Sequence, residues 1–442
     1  MKKFFYTLLH KYLSLYILSE DSLVEIDPST DMLVGKFERA TVLQREERFG
    51  PELSGVPVIH KLEEVRQLNP DYILLNGLIH TERDIQSMLS RVREQCSSET
   101  RLIVTYYSSL WKPLMKLATW LGLRSRLPET NWIAHEDISN LLLLADFEPV
   151  RSESRILLPV YIPLVSQLVN QFIAPLPFFR NFNMVNIVVA RPVFPGRPAP
   201  EPKPSVSVVV AARNEAGNIE NIVKRLPRMG PDDELIFVEG GSSDTTWETI
   251  QAIQAKYRDS HSIVIAQQDG KGKGDAVRKG FGLASRDILM ILDADMTVPP
   301  EDLPRFYDAI VADKGEYING SRLVYPMEKE AMRFFNLCGN KFFAMAFSFV
   351  LGQSFKDTLC GTKVISRKNY EKLARHRSFF GEFDPFGDFD LIFGASRMCL
   401  KIVEIPITYR ERVYGDTNIS RWSHGSILFA MLLFAARKIK FL

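Results

Sequence analysis

Cysteine is scarce in this chain, four in 442 residues. Cys96, Cys338, Cys360 and Cys399 lie far apart with no metal-ligand spacing, which excludes a disulfide framework and a zinc finger. They read as the reduced thiols of a cytoplasmic protein. Net charge is only +2, so no basic excess points to nucleic acid as a partner. No apolar run reaches the roughly 18 to 20 residues that span a bilayer. The basic, apolar start "MKKFFYTLLHKYLSLYIL" lacks a small-residue cleavage site and is interrupted by His10 and Lys11, so it is not read as a signal peptide. Glycine is missing altogether from residues 1–34. That excludes a Gly-rich loop after the first strand.

What remains is a folded α/β chain, 46% hydrophobic and 24% charged, and long enough for two domains. The clearest boundary is "RPVFPGRPAPEPKPS" at 191–205, where six prolines favour extended chain over helix or central strand. The expected domains are 1–190 and 205–442, joined by a Pro-rich linker at 191–204. In the second, a strand at 206–211 runs into a polar turn and an amphipathic helix. "DELIFVEGGSSDTTWETIQAI" and "SIVIAQQDGKGKGDAVRKGFGLA" repeat the pattern, and "RDILMILDADM" is a fourth strand. Strands alternating with helices predict a parallel sheet covered on both faces. "KIVEIPITYRER" reads as a further strand at a sheet edge, because of Pro406.

Four polar stations follow these four strands, each where a doubly wound sheet binds its ligand. The first is "ARNEAGN", with Arg213, Asn214 and Glu215. The second is "EGGSSDTT", with Glu239 and Asp244. In the third, "DGKGKGDAVRKG", glycines let backbone N–H groups approach an anion while Lys271, Lys273 and Arg278 add positive charge. The fourth is the pair Asp293 and Asp295. Two like charges ending a buried strand suit a divalent ion, since Mg²⁺ takes one or two carboxylates plus substrate phosphates. The plainer alternative is a polar strand exit before a helix, with Glu301 and Asp302 in its first turn.

With these pieces in order, the second domain resembles a family 2 glycosyltransferase of the GT-A fold, closest to the dolichol-phosphate mannosyltransferase-like branch. The matching stretches are "VVVAARNEAGNI", "GGSSDTT", "GKGKGDAVRKGFGLA", "DADMTVPPEDL", "DTLCGTKVISR", "GDFDLIFGA" and "KIVEIPITYRERVYGDTNIS", covering nearly all of 205–420. The resemblance implies a nucleotide-diphosphosugar donor bound through Arg213, Asn214, Glu215, Glu239, Asp244, Lys271, Lys273, Arg278 and Asp293. It implies Mg²⁺ or Mn²⁺ on Asp293 and Asp295, with Arg412 and "YGDTNIS" closing on the donor phosphates. Relatives carry two aspartates where this chain has Glu239 and Gly240, and many carry lysine at Asn418. The base of the donor therefore stays open.

The reaction expected is inverting transfer to an acceptor. A phosphate oxygen is already ionised at pH 7 and needs no general base, whereas a sugar hydroxyl does. Asp388 and Asp390 are the candidates for that catalytic duty, an N-cap being the alternative for Asp388. Polyprenyl phosphate is the expected acceptor, and a hydroxyl of a growing cell-surface glycan the alternative. The apolar stretches "KFFAMAFSFVLG" (341–352) and "SILFAMLLFAARKIKF" (426–441) are edged with Lys and Arg, as helices lying in a bilayer interface are. With the lipid acceptors that the resemblance implies, they lead to the expectation of a peripheral protein on the inner face of the cell membrane; a core helix or a homo-oligomer interface is the other reading.

In the first domain, "PDYILLNGLIH", "TRLIVTYYSSLW" and "NMVNIVVARPV" alternate as strands with helices, and resemble the later half of a class I methyltransferase. Asp71 would lie near the strand of its fourth motif, and Asp27 would stand where a carboxylate holds the cofactor ribose. The missing glycines would leave side chains in the way of S-adenosylmethionine. The expectation is a degenerate methyltransferase-like (Rossmann-type) domain with a structural or partner-binding duty. A nucleotidyltransferase should carry glycines directly after its first strand, where this chain has "ARNEAGN". An inert two-domain scaffold would not account for the polar groups at every station.

Overall fold

The computed structural model describes residues 2–45, 55–122, 131–325, 334–379, 389–410, 412, 414 and 421–442. The chain forms two compact units, Met1–Arg197 with Arg437–Leu442, and Pro198–Ala436. The boundary falls inside the expected linker, although the last strand of the first unit runs on to Pro192. The final six residues depart from the expected domain 205–442, because they pack into the first unit. Both units are α/β, as expected of the chain.

The first unit holds β1 (Leu23–Ile26), β2 (Ala40–Leu43), β3 (Val58–Ile59), β4 (Tyr72–Asn76), β5 (Arg101–Tyr107), β6 (Phe147–Arg155) and β7 (Val185–Pro192). They form one sheet in the order β3-β2-β1-β4-β5-β7-β6. The first six strands follow the 3-2-1-4-5-6 order of a dinucleotide-binding sheet. β7 enters antiparallel between β5 and β6. The central strands are continuous apolar runs because helices cover both faces. Leu75, Val104, Val188 and Phe147 meet Met88, Leu89 and Leu142 from the helices in one buried cluster.

The second unit holds β8 (Val206–Ala212), β9 (Glu234–Glu239), β10 (Ser262–Gln267), β11 (Ile288–Ile291), β12 (Tyr317–Ser321), β13 (Lys363–Ser366) and β14 (Ile402–Pro406). Their order is β10-β9-β8-β11-β13-β12-β14. β10, β9, β8 and β11 run parallel. β13 is antiparallel to both its neighbours, and β14 pairs parallel with β12 at the edge, as Pro406 predicts. The strand order reverses between β8 and β11, so the crevice beyond their carboxyl ends is the place for a ligand. Helix Gly272–Leu283 packs tightly on β8, because a Cβ on Gly280 would stand 2.3 Å from Val209 Cγ1.

The two apolar stretches of this unit are helices, Phe334–Leu351 and Arg421–Ala435, packed on each other. Phe347 packs at a tilt against Phe389 and Phe393, at 5.3 and 5.8 Å between ring centroids. Phe342, Met345, Phe429 and Leu433 stay exposed. The basic end of the second stretch behaves differently from expectation. Lys440 is buried in the first unit, 3.9 Å from Glu153, and so is not an exposed edge charge.

Candidate active site

The end of β11 delivers Asp293 and Asp295 to the switch point. Asp295 Oδ1 accepts from Thr297 N (3.1 Å) and Thr297 Oγ1 (2.8 Å), which turns the chain and leaves Oδ2 pointing outward. That oxygen accepts from Arg412 Nη2 at 2.8 Å. Arg412 Nη1 reaches Glu215 Oε1 at 2.9 Å, from the first station. Lys273, in the first turn of helix Gly272–Leu283, donates to Asp293 Oδ1 at 2.5 Å. Four elements thus converge on three carboxylates and two cations, partly open to solvent.

Burial raises the Glu215 carboxyl above its ordinary value, a tendency that Arg412 and Asn218 oppose and the Asp295 charge assists. Tyr409 lies beside both aspartates and hydrogen-bonds Thr297; burial, with the two carboxylates, keeps its phenol neutral to higher pH. Tyr414 returns over helix Ala216–Arg225, where a Cβ on Gly217 would meet its ring at 2.6 Å.

Other expected site residues hold the loops in shape. Asn214, at φ +57°, accepts from Ser243 N at 2.8 Å. Asp244 Oδ1 accepts from Thr246 N at 3.0 Å, and Oδ2 receives Ala216 N at 3.5 Å. Glu239 is buried and takes Ser242 N and Gln267 Nε2. Arg213 and Lys271 are exposed at the mouths of their loops. Arg278 belongs to a different neighbourhood, beside Tyr370. Asp390 sits there too, in the first turn of helix Phe389–Arg397, and accepts from Arg377 Nε at 3.0 Å. Asp388, Asn418 and the rest of 415–420 lie outside the described residues.

Two features escaped the sequence reading, both in "DTLCGTK". A Cβ on Gly361 would lie 2.0 Å from Asp293 Oδ2, so only glycine lets this carboxylate rest against backbone. Asp357 is fully buried and pairs with Arg322 through Nε (2.7 Å) and Nη2 (2.8 Å). Burial alone would raise its pKa; the guanidinium overrules that and holds it low. Arg322 in turn lies 5.2 Å from the Tyr409 ring centroid. A planar Arg–carboxylate pair of this kind is rigid; it holds Tyr409 on one side, and Asp357 Oδ1 also accepts from Leu359 N at 3.0 Å, two residues before Gly361.

In the first unit, Asp71 stands at the start of β4, where Ser22 N (2.9 Å) and Oγ (2.8 Å) donate to it. That is the end of the sheet away from the ligand crevice. Asp27 follows β1 at φ +43° and accepts from Arg45 Nε at 2.5 Å, while Arg45 Nη2 reaches Glu82 at 3.0 Å.

Residues 207–374 match the family profile "Glycosyl transferase family 2". The expectation of a glycosyltransferase-family domain is borne out there. The chain is 28% identical over 241 residues to a dolichol-phosphate mannosyltransferase of Pyrococcus furiosus, covering 53% of this chain and 64% of the relative. It is 27% identical over 233 residues to an undecaprenyl-phosphate 4-deoxy-4-formamido-L-arabinose transferase of Proteus mirabilis, covering 51% and 66%. The chain therefore spans somewhat less than two thirds of these relatives' length. Among solved structures, glucosyl-3-phosphoglycerate synthase of Mycobacterium tuberculosis aligns at 19% identity and a TM-score of 0.39, over 56% of this chain and 86% of that one. At that score the likeness carries no inference about this chain.

Proposed function

We propose that this protein is an inverting glycosyltransferase that moves a sugar from a nucleotide-diphosphosugar to a polyprenyl phosphate. The observation that carries the reading is the paired clamp at the switch point, Lys273 on Asp293 and Arg412 across Asp295 and Glu215. It lies in a family 2 domain, and both relatives above are named for lipid-phosphate acceptors.

Among the described residues no group of three His, Cys, Asp or Glu gathers as a metal cage. Two aspartates nonetheless fit Mg²⁺ or Mn²⁺, which complete their shells with donor phosphates. The bare cradle over Gly361 keeps one Asp293 oxygen against backbone, uncrowded by any side chain. Such an ion, when bound, neutralises charge on the diphosphate. Lys273 and Arg412 do the protein's share of the same work. As the donor's phosphates enter, the two cations exchange carboxylate partners for phosphate oxygens. They then stabilise the charge that grows as the nucleoside diphosphate leaves.

The acceptor attacks the anomeric carbon from the opposite side. A phosphate oxygen brings no proton, so no base is required. The contact of Arg377 on Asp390 suits a positioning role better than proton abstraction. Kinetics separate the acceptors: Asp390→Asn should keep kcat within about tenfold for a lipid phosphate, whereas loss of a true base costs roughly 10²- to 10⁴-fold. The latter result would turn the reading to a glycan hydroxyl.

The exposed flank of the two packed apolar helices supports attachment to the inner face of the membrane. The first unit is proposed to be a methyltransferase-type sheet without cofactor. Arg45 occupies the exit of β1, and no glycine opens that loop to a nucleoside. Calorimetric titration of the whole protein with S-adenosylmethionine should give no heat of binding; micromolar affinity would refute this part.

A further inference from the structure

Among the described residues, the first unit carries an apolar face that its own elements leave exposed. Helix Lys112–Trp120 buries only Met115 and turns Leu114, Leu117 and Trp120 outward, with Trp120 78% exposed. An ordinary surface helix does the reverse. Leu164 (73%) and Phe178 (70%) stand out from the segment between β6 and β7. The pieces are neighbours. Trp111 Nε1 donates to Phe182 O at 2.8 Å, Phe178 packs on Phe182, and Phe4 of helix Lys2–Leu13 packs on Tyr161. A soluble monomer rarely leaves so many large apolar groups together unless they meet a partner.

The charge around them selects that partner. Residues 1–19, 101–128 and 154–200 contain no aspartate or glutamate. Lys2, Lys3, Lys116 and Arg180 are exposed within them, and Lys112 is half-buried. Apolar and aromatic groups edged by cations, on segments that carry no acidic residue, match the interface of an anionic bilayer, where rings and leucines enter the acyl boundary and cations meet lipid phosphates. We propose that this face of the first unit is a docking surface for anionic lipid. That duty would explain why a sheet with a closed cofactor site is kept beside a transferase. It needs no catalytic activity from either unit, so it stands or falls apart from the reaction proposed above.

Flotation of the full chain with vesicles, without donor or acceptor, tests it. Wild-type protein should float with phosphatidylglycerol-containing vesicles and much less with pure phosphatidylcholine. The triple variant Leu114→Ser, Leu117→Ser, Trp120→Ser changes exposed positions and should keep the wild-type melting profile while losing at least tenfold in partitioning. Lys112→Glu with Lys116→Glu should lose roughly fivefold or more per residue on anionic vesicles alone. A parallel variant, Met345→Ser with Phe429→Ser, reports on the exposed helices of the second unit. Wild-type flotation by both first-unit variants, with loss confined to the second-unit one, would overturn the proposal. So would a wild-type dimer that the triple variant splits without losing vesicle binding, which would make the face a contact between copies.

Discussion

Gly361 and Asp293 show how little room the centre allows. A methyl group at Gly361 would stand 2.0 Å from Asp293 Oδ2, so Gly361→Ala must move the carboxylate off its place. Transfer should fall at least about 10²-fold, in line with losing one preorganised charge contact. A thermal melt within a few degrees of wild type would confirm that the loss is local. In the first unit, burial raises Glu25 from 4.5 to about 8, and Asn76 opposes this only weakly. Between those values the unfolded chain has released a proton that the folded one keeps. Stability should therefore fall from about pH 4.5 to about pH 8 and level off above. Glu25→Gln should remove that slope and stabilise the unit at pH 8 by on the order of a few kcal/mol, read by denaturant titration. The doublet Asp293 and Asp295 was legible in sequence, because charges ending a buried strand need a reason. The Arg412–Glu215 pair was not, since its partners lie 197 positions apart. Gly361 could be placed in a motif, but its purpose depends on the carboxylate lying against it.

The C-terminal hexapeptide is the element whose place sequence could not give. Chain continuity assigns it to the second domain, yet Arg155 Nη1 donates to Lys440 O at 2.6 Å, and Gln171 Nε2 to Phe441 O at 3.1 Å. The recipient is a buried charge cluster. Burial pushes Glu153 up, and Arg151, Arg155 and Lys440 together pull it well below the usual range. Burial lowers Lys440 to about 8 against the pull of Glu153. Deleting residues 437–442 leaves Arg155 without the carbonyls of Lys440 and Ile439, a cost of roughly 2 to 4 kcal/mol for a buried charged donor. Calorimetry should show the first unit melting several degrees lower, with nucleotide binding by the second unit unchanged. The strand–helix alternation of both units, by contrast, was readable. Continuous apolar runs bounded by Gly and Pro admit few other structures, and Pro406 marked β14 as an edge strand.

At the scale of the molecule, a unit that matches the glycosyl transferase family 2 profile shares the chain with a doubly wound sheet in which Arg45 pairs with Asp27 and Glu82 at the exit of β1. Four stations in order made the transferase resemblance of the second unit legible, and the missing glycines set the first unit apart from cofactor-binding sheets. The sequence could not show which leucines stay outside, because an exposed leucine and a buried one look alike in a helix such as Lys112–Trp120. The central claim is transfer to a lipid phosphate, and product formation tests it most directly. Purified protein with Mg²⁺, a panel of radiolabelled nucleotide sugars and undecaprenyl phosphate in detergent would be followed by extraction of lipid-linked label. The account predicts that one donor yields lipid-linked sugar, with stoichiometric nucleoside diphosphate release. Asp295→Ala should lower it by at least about 10²-fold. Label that never enters the lipid fraction from any donor, or an Asp295→Ala protein that works as well as wild type, would contradict it.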